Sequence, residues 1–289
     1  MAEHTQHDIH GFPLSHAETR TLVRAALEED RAFDDVTTLA TIPAEATARA
    51  VLAARREGVA CGIALAEAAF AAFAEVRTVR RCDDGARLAR GDVLLEATGP
   101  ARAILQAERV ALNYAMRLSG VASLTRRFVD AIAGTGAAIL DTRKTTPGWR
   151  DLEKYAVRCG GGRNHRRDLA SMALIKDNHL AAVGGDIARA VAAARALLPA
   201  GAKVEVEADR FAQVEAAIAA GADVVMLDNM PPDEMRRCVA FVAGRATVEA
   251  SGGVSLATVR AIAETGVDWI SVGALTHSAP ALDLGLDFL

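Results

Sequence analysis

The chain has 289 residues, of which 51% are hydrophobic, 24% charged and only 4% aromatic. That is ample for a sizeable core packed by alanine, valine, leucine and isoleucine, and the length fits one large domain with a smaller one. A formal net charge of −4 argues against a general nucleic-acid or anionic-membrane surface, so any anion-binding role must come from a local cluster.

The start, MAEHTQHDIHGFPLSH, is polar and lacks the apolar core of a signal peptide. His4, His7 and His10 are three apart, but no cysteine or carboxylate pattern completes a metal site, so a structural or disordered tail is the expectation. Ser15 followed by Glu18 resembles a capping box, after which Leu22, Val23, Ala26 and Leu27 recur at helical spacing. An alanine-rich helix is expected from Ile63 to Glu75, and ATARAVLAAR and GDVLLEATG read as strands. The stretch 100–120 reads as an amphipathic helix opened by Pro100, with a stripe of Ile104, Leu105, Leu112, Ala115 and Leu118. Residues 1–118 are therefore expected to form a mixed α/β domain, and 119–289 a second one, with the last residues free to pack back on the first. No apolar run is long enough to span a bilayer. The four cysteines, Cys61, Cys82, Cys159 and Cys238, are scattered without a C-x-x-C pair, which fits a reducing cytoplasm.

From Ala137 short apolar strands alternate with helices. Strands are predicted at 137–140, 172–175, 203–207, 223–228, 247–251 and 268–273, and helices at 150–159, 186–198, 211–220, 232–243 and 255–265. Apolar strands separated by helices imply a parallel sheet covered by helices, and six such units imply a barrel or partial barrel. In such a fold the carboxyl ends of the strands converge on one mouth, where active sites lie. Here those ends carry Asp141, Thr142, Arg143 and Lys144; Lys176 and Asp177; Glu207; Asp228 and Asn229; Ser251, Gly252 and Gly253; and Gly273.

Between Thr142 and Asp168 stand eight Arg or Lys residues against the three acids Asp151, Glu153 and Asp168. Arginine presents a fork that matches carboxylate or phosphate. A plain basic helix face accounts for Lys154 and Arg158; it accounts poorly for Arg143, Lys144 and Lys176, which strand ends aim into the mouth. Glu207 and Asp228 would repel a phosphate unless a divalent cation such as magnesium bridged them to it, directly or through water, although salt bridges to the lysines remain an open alternative. EASGGVS and SVGALTHS, each after a strand, fit a phosphate grip on late barrel loops, with His277 a further donor or else a helix cap.

The segments EDRAFDDVTT, GDVLLEATG, ILQAERVALNYAMRLSGVAS, DTRKTTPGWRDLEKYAVRCGGGRNHR, LIKDNHL, VEVE, VMLDNM, EASGG and SVGALTHS occur in this order from residue 29 to 278. In that set and order the chain resembles the quinolinate phosphoribosyltransferases, or carboxylating nicotinate-nucleotide pyrophosphorylases, of the type II phosphoribosyltransferase family. The resemblance implies an amino-terminal α/β sandwich domain and a carboxy-terminal open, seven-stranded, TIM-like α/β barrel. It implies a cytoplasmic, magnesium-dependent homodimer, with a hexamer left open, that joins quinolinate to phosphoribosyl pyrophosphate in NAD biosynthesis. By the same resemblance Arg143, His165 and Arg166 bind quinolinate, and Lys144 and Lys176 border substrate and donor. Arg109 enters the partner subunit's site. Glu207 and Asp228 are the ribose- and magnesium-associated acids, and Ser251, Gly252, Gly253, Gly273 and His277 hold the 5-phosphate. A Schiff-base aldolase would also place a lysine at a strand end but needs no diphosphate clamp. A transferase of nicotinate or another nitrogen heterocycle is the nearer rival, and a basic RNA-binding module the most distant.

Overall fold

A single oxygen of Ser15 starts the first helix: it accepts the backbone N–H of Glu18, whose carboxylate in turn accepts from the backbone N–H of Ser15. The structure, a computed structural model, describes residues 11–73, 75–199 and 201–289; the spacing of His4, His7 and His10 lies outside them. In chain order the elements are α1 (His16–Glu29), α2 (Val36–Thr41), β1 (Thr47–Ala54), β2 (Gly58–Val59), α3 (Ile63–Ala71), β3 (Arg77–Arg80), β4 (Arg87–Leu88), β5 (Val93–Pro100), α4 (Ala101–Ala131), β6 (Ala138–Leu140), α5 (Arg150–Cys159), β7 (Ala173–Ile175), α6 (Asp177–Ala182), α7 (Ile187–Leu197), β8 (Val204–Ala208), α8 (Phe211–Ala219), β9 (Val224–Asp228), α9 (Pro232–Val242), β10 (Thr247–Ser251), α10 (Val259–Ala263), β11 (Trp269–Ser271), α11 (Ala274–His277) and β12 (Leu284–Phe288).

The chain divides into two compact units. The first comprises residues 1–126, 151–161 and 278–289; the second comprises 127–150 and 162–277. A boundary at 118/119 falls inside α4, which continues without a break to Ala131. The first unit is built on an antiparallel sheet in the order β12-β1-β5-β3, with β2 and β4 paired separately. Val51, Leu52, Leu94 and Leu95 of this sheet are buried, as are Ile63, Leu65 and Phe70 of α3, which also lies against α1. Each such side chain contributes roughly 1.5–3 kcal/mol by leaving water. The glycine of RLSG is required by packing: a Cβ on Gly120 would stand 2.2 Å from the carbonyl oxygen of Pro280.

The second unit is a parallel sheet in the order β6-β11-β10-β9-β8-β7. The strand cores VEVEA and VVMLD are almost wholly buried, as helices on the outer face require. A seventh stave is reduced to one residue: Arg163 bridges Leu140 in parallel, its N–H bonding the Ile139 carbonyl and its carbonyl accepting from Asp141 N–H. Glycines and charges in GGGRNHRR give this segment little tendency to extend as a strand. Among the described residues no pairing joins Arg163 to β7, so the barrel is open along that seam.

Several boundaries differ from expectation. The helix begun at Ile63 ends at Ala71, and the last barrel helix shortens to Val259–Ala263. Helix α4 runs thirteen residues past Leu118, because SLTRRFVDA has no breaker. Lys154 is not on a solvated face: it is 4% exposed, beside Glu153, which is fully buried and bonded by Arg117 at 2.7 Å.

Candidate active site

Strand ends of the second unit carry most of the residues singled out in the sequence. At the end of β6, Asp141 is fully buried and accepts the backbone N–H of His165 at 2.9 Å and Nδ2 of Asn164 at 2.5 Å. This pins GGGRNHRR across the start of TRKT. Arg143 follows, half-buried, with its Nε buried and without a hydrogen-bond partner. Arg166 stands near enough to feel it: burial first, then the Arg143 charge, holds the Arg166 guanidinium below its ordinary pKa. Arg166 Nη1 donates to the Met172 carbonyl at 3.0 Å. Two guanidiniums set side by side, one with an unsatisfied buried nitrogen, make a site for an anion.

Beneath them lies a cluster that the sequence reading passed over. His165 Nε2 is 3.2 Å from Glu205 Oε2 and 3.2 Å from Glu249 Oε2, and both glutamates are fully buried. Ser271 Oγ donates to the other oxygen of Glu249 at 2.6 Å. Burial alone would push the imidazole pKa down, but the Glu205 and then the Glu249 carboxylate beside Nε2, close but in hydrogen-bond geometry with neither, outweigh it and raise the value to about 9. Burial also raises the Glu205 carboxyl. Both shifts run the same way, toward a proton shared among the three side chains. By residue type it is also capable of coordinating a divalent metal. Strand periodicity was the available signal. Glu205 sits two residues before Glu207, and Glu249 two before Ser251, so each shares a strand face with a mouth residue one rung above.

At the mouth Lys176 Nζ pairs closely with Glu207 Oε2. One strand over, Asp228 is paired in register with Ser251. Asn229 links the two: its φ is +54°, its N–H donates to the Ser251 carbonyl at 2.9 Å, and its Nδ2 donates to Asp228 Oδ2 at 2.8 Å. Gly252 has φ +87°, and a Cβ there would meet Asn229 Oδ1 at 2.3 Å. So LDN and SGG are interlocked, and only glycine fits between them. Gly253 follows, exposed, also at positive φ. Across the sheet, Lys144 and His277 flank the bare Gly273, from whose position a Cβ would be 3.0 Å from Lys144 Cδ and 3.2 Å from His277 Nε2. Thr276 Oγ1 donates to the Lys144 carbonyl at 2.7 Å and holds TRKT against α11.

The structure thus groups Arg143 with Arg166, His165 with the two buried glutamates, Lys176 with Glu207, Asp228 with Ser251 and Gly252, and Lys144 with Gly273 and His277. Arg109 is an exposed residue of α4, in the first unit. Glu207 and Asp228 supply hard oxygen donors at the ends of neighbouring strands, a donor set open to a divalent cation. Among the described residues no helix is long and apolar enough to cross a membrane.

Two family models match almost end to end: the N-terminal domain of quinolinate phosphoribosyl transferase over residues 35–119 and its C-terminal domain over 121–287. The chain is 45% identical to the carboxylating nicotinate-nucleotide pyrophosphorylase of Mycobacterium leprae, covering 93% of this chain and 96% of that protein. It is 42% identical to the probable enzyme of that name from Bacillus subtilis, covering 95% and 94%. Its fold superposes on the nicotinate-nucleotide pyrophosphorylase of Francisella tularensis with a TM-score of 0.91 at 38% identity, over 96% of this chain and 98% of that one.

Proposed function

The chain belongs to the quinolinate phosphoribosyltransferase family, and from that premise we propose how its residues divide the work. The reaction is decarboxylating phosphoribosyl transfer: quinolinate and phosphoribosyl pyrophosphate give nicotinate mononucleotide, pyrophosphate and carbon dioxide, as in NAD biosynthesis. The observation that carries our assignment is the Arg143–Arg166 pair with its unsatisfied buried nitrogen, which matches a ring bearing two adjacent carboxylates.

Arg143, His165 and Arg166 hold those carboxylates, while Lys144 and Lys176 border the ring and the donor. Held in this way, the pyridine nitrogen of quinolinate faces the anomeric carbon of the donor and displaces pyrophosphate. Glu207 and Asp228 stabilise positive charge developing on the ribose. The same two acids would hold Mg2+, directly or through water, and the ion would there supply positive charge beside the leaving pyrophosphate. Ser251, Gly252, Gly253, Gly273 and His277 grip the 5-phosphate. Once alkylated, the ring nitrogen accepts the electrons released as the adjacent carboxylate leaves, so carbon dioxide loss needs no organic cofactor. Lys144 or an ordered water then protonates the vacated carbon.

We take residues 1–118 as the amino-terminal domain and 119–289 as the barrel domain, a division that the junction of the two family matches supports. A homodimer, in which exposed Arg109 enters the partner's site, and a cytoplasmic location complete the proposal; the four cysteines are all free thiols, as a reducing compartment requires. The deciding experiment follows pyrophosphate, carbon dioxide and nicotinate mononucleotide together, with magnesium and with nicotinate as competing substrate. Equal release of all three products from quinolinate alone is expected; pyrophosphate release only with nicotinate would overturn the substrate assignment.

A further inference from the structure

His165, Glu205 and Glu249 lie on every second stave of the open barrel. Counted in chain order from β6, the Arg163 segment is the second stave, β8 the fourth and β10 the sixth. Interior layers of such barrels are built from alternate strands, usually with branched apolar side chains. Here one layer is polar. Two fully buried carboxylates face a single imidazole nitrogen, each at 3.2 Å, and a proton or a metal between them must relieve their repulsion.

The other ring nitrogen decides whether that is a metal or a proton. His165 Nδ1 accepts the backbone N–H of Arg166 at 2.8 Å, which assigns the ring proton to Nε2, facing the glutamates. A metal-bound imidazole instead donates its second N–H outward to an acceptor. A metal at Nε2 with Nδ1 accepting would need a ring stripped of both protons.

We propose that Glu205 and Glu249 are positioning residues which act through His165: a clamp filled by the Nε2 proton, not by a metal, that presets the Arg143–Arg166 pair for the carboxylates of quinolinate. Four separate strands converge on the clamp. Ser271 on β11 fixes Glu249 through its second oxygen at 2.6 Å, and Asp141 after β6 holds the His165 backbone at 2.9 Å. With Nδ1 tied to the Arg166 backbone, rotation of the imidazole would move the residue that carries the guanidinium. This inference rests on the assignment of Arg143 and Arg166 to quinolinate.

The test compares Glu205→Gln and Glu249→Gln with Arg143→Lys by steady-state kinetics, with each substrate varied in turn. The glutamine variants keep side-chain size but lose the charge, and KM for quinolinate is expected to rise roughly tenfold, the scale of one charge-assisted bond weakened. KM for phosphoribosyl pyrophosphate and the magnesium concentration for half-maximal rate are expected to stay within about twofold. A purely structural role would lower the active fraction without shifting one KM against the other, and that result overturns the clamp. If the glutamine variants fail to fold, Ser271→Ala, which frees only one oxygen of Glu249, is expected to raise the same KM about threefold; an unchanged KM overturns the proposal. Metal analysis of the dialysed wild type gives an independent check. One divalent ion per chain, lost in Glu249→Gln, would replace the proton with a metal. If Arg143→Lys leaves KM for quinolinate unchanged, the substrate-site assignment itself fails. A rise there with none in the glutamine variants sinks the clamp alone.

Discussion

Each unit of the molecule buries an acid against a ring, and the two clusters solve the problem differently. In the first unit Asp84 accepts the Tyr155 hydroxyl at 2.8 Å and the backbone N–H of Ile63 at 3.1 Å, so its oxygens cap α3 and tie it to α5. Burial pushes its carboxyl up, and those donors pull it back only in part. In the second unit Glu205 and Glu249 crowd one imidazole, with like charges facing each other and only one of the two fixed by a neighbouring hydroxyl. A cluster whose acid is satisfied by neutral donors serves the fold. A cluster left with repelling charges spends stability on a fixed orientation, as functional sites do.

The contrast is broken or sharpened by substitutions that separate stability from turnover. The largest effect is expected for Arg143→Ala: kcat/KM for quinolinate should fall on the order of a thousandfold, with the denaturation midpoint little moved, because a half-buried guanidinium whose buried Nε has no hydrogen-bond partner serves binding more than folding. Asp84→Ala should do the reverse. It strands the Tyr155 hydroxyl and the Ile63 N–H and should cost about 3 kcal/mol in urea unfolding, with turnover per folded molecule within about twofold. A large loss of turnover in Asp84→Ala would erase the distinction. Gly252→Ala tests the mouth itself. The strain at φ +87° and the clash with Asn229 should raise KM for phosphoribosyl pyrophosphate by roughly thirtyfold while leaving KM for quinolinate alone. Tyr155→Phe removes one donor to Asp84 and should cost about 1 kcal/mol, readable in the same unfolding assay.

The smallest effect is a slope. Because the Asp84 carboxyl is raised in the folded chain, the native state holds its proton to higher pH than the unfolded chain does. Stability from this group is therefore full below the ordinary carboxylate range and declines as pH rises through the raised value. Asp84→Asn should flatten that part of the stability curve, and an unchanged slope would show that another group sets it.

Much of this was legible before any coordinates. The barrel grammar was, because parallel strands buried on both faces leave short apolar runs that helices separate, and VVMLD and TVEAS end where the reading placed them. Residues that terminate strands, such as Lys176 and Asp228, announce themselves as charges after an apolar run. Other features were hidden for definite reasons. RTVR of β3 and LGLDF of β12 lie at the two edges of the antiparallel sheet; β3 leaves Val79 exposed and Arg80 half-buried, and β12 is only partly buried, so neither reads as apolar-in and polar-out. Glu205 and Glu249 were passed over because a charge inside a strand looks like a solvent-facing position until the opposite face is known to be barrel interior. Lys154 was misplaced for the converse reason: its helix is buried on more sides than its polar sequence implies.

The pairing of β12 with β1 carries a consequence for how the molecule comes into being. Leu284–Phe288 lies beside Ala50–Ala54, and Arg55 grips Asp287 through two bonds of 2.8 and 2.6 Å. During synthesis the first sheet must therefore wait, one edge bare, while the entire barrel is made, and it closes only after residues 284–288 have left the ribosome. Such a long-delayed contact slows folding and leaves an unpaired strand open to other nascent chains. Loss of residues 284–288 would spare every residue of the barrel mouth and still leave a sheet with a bare edge prone to aggregate.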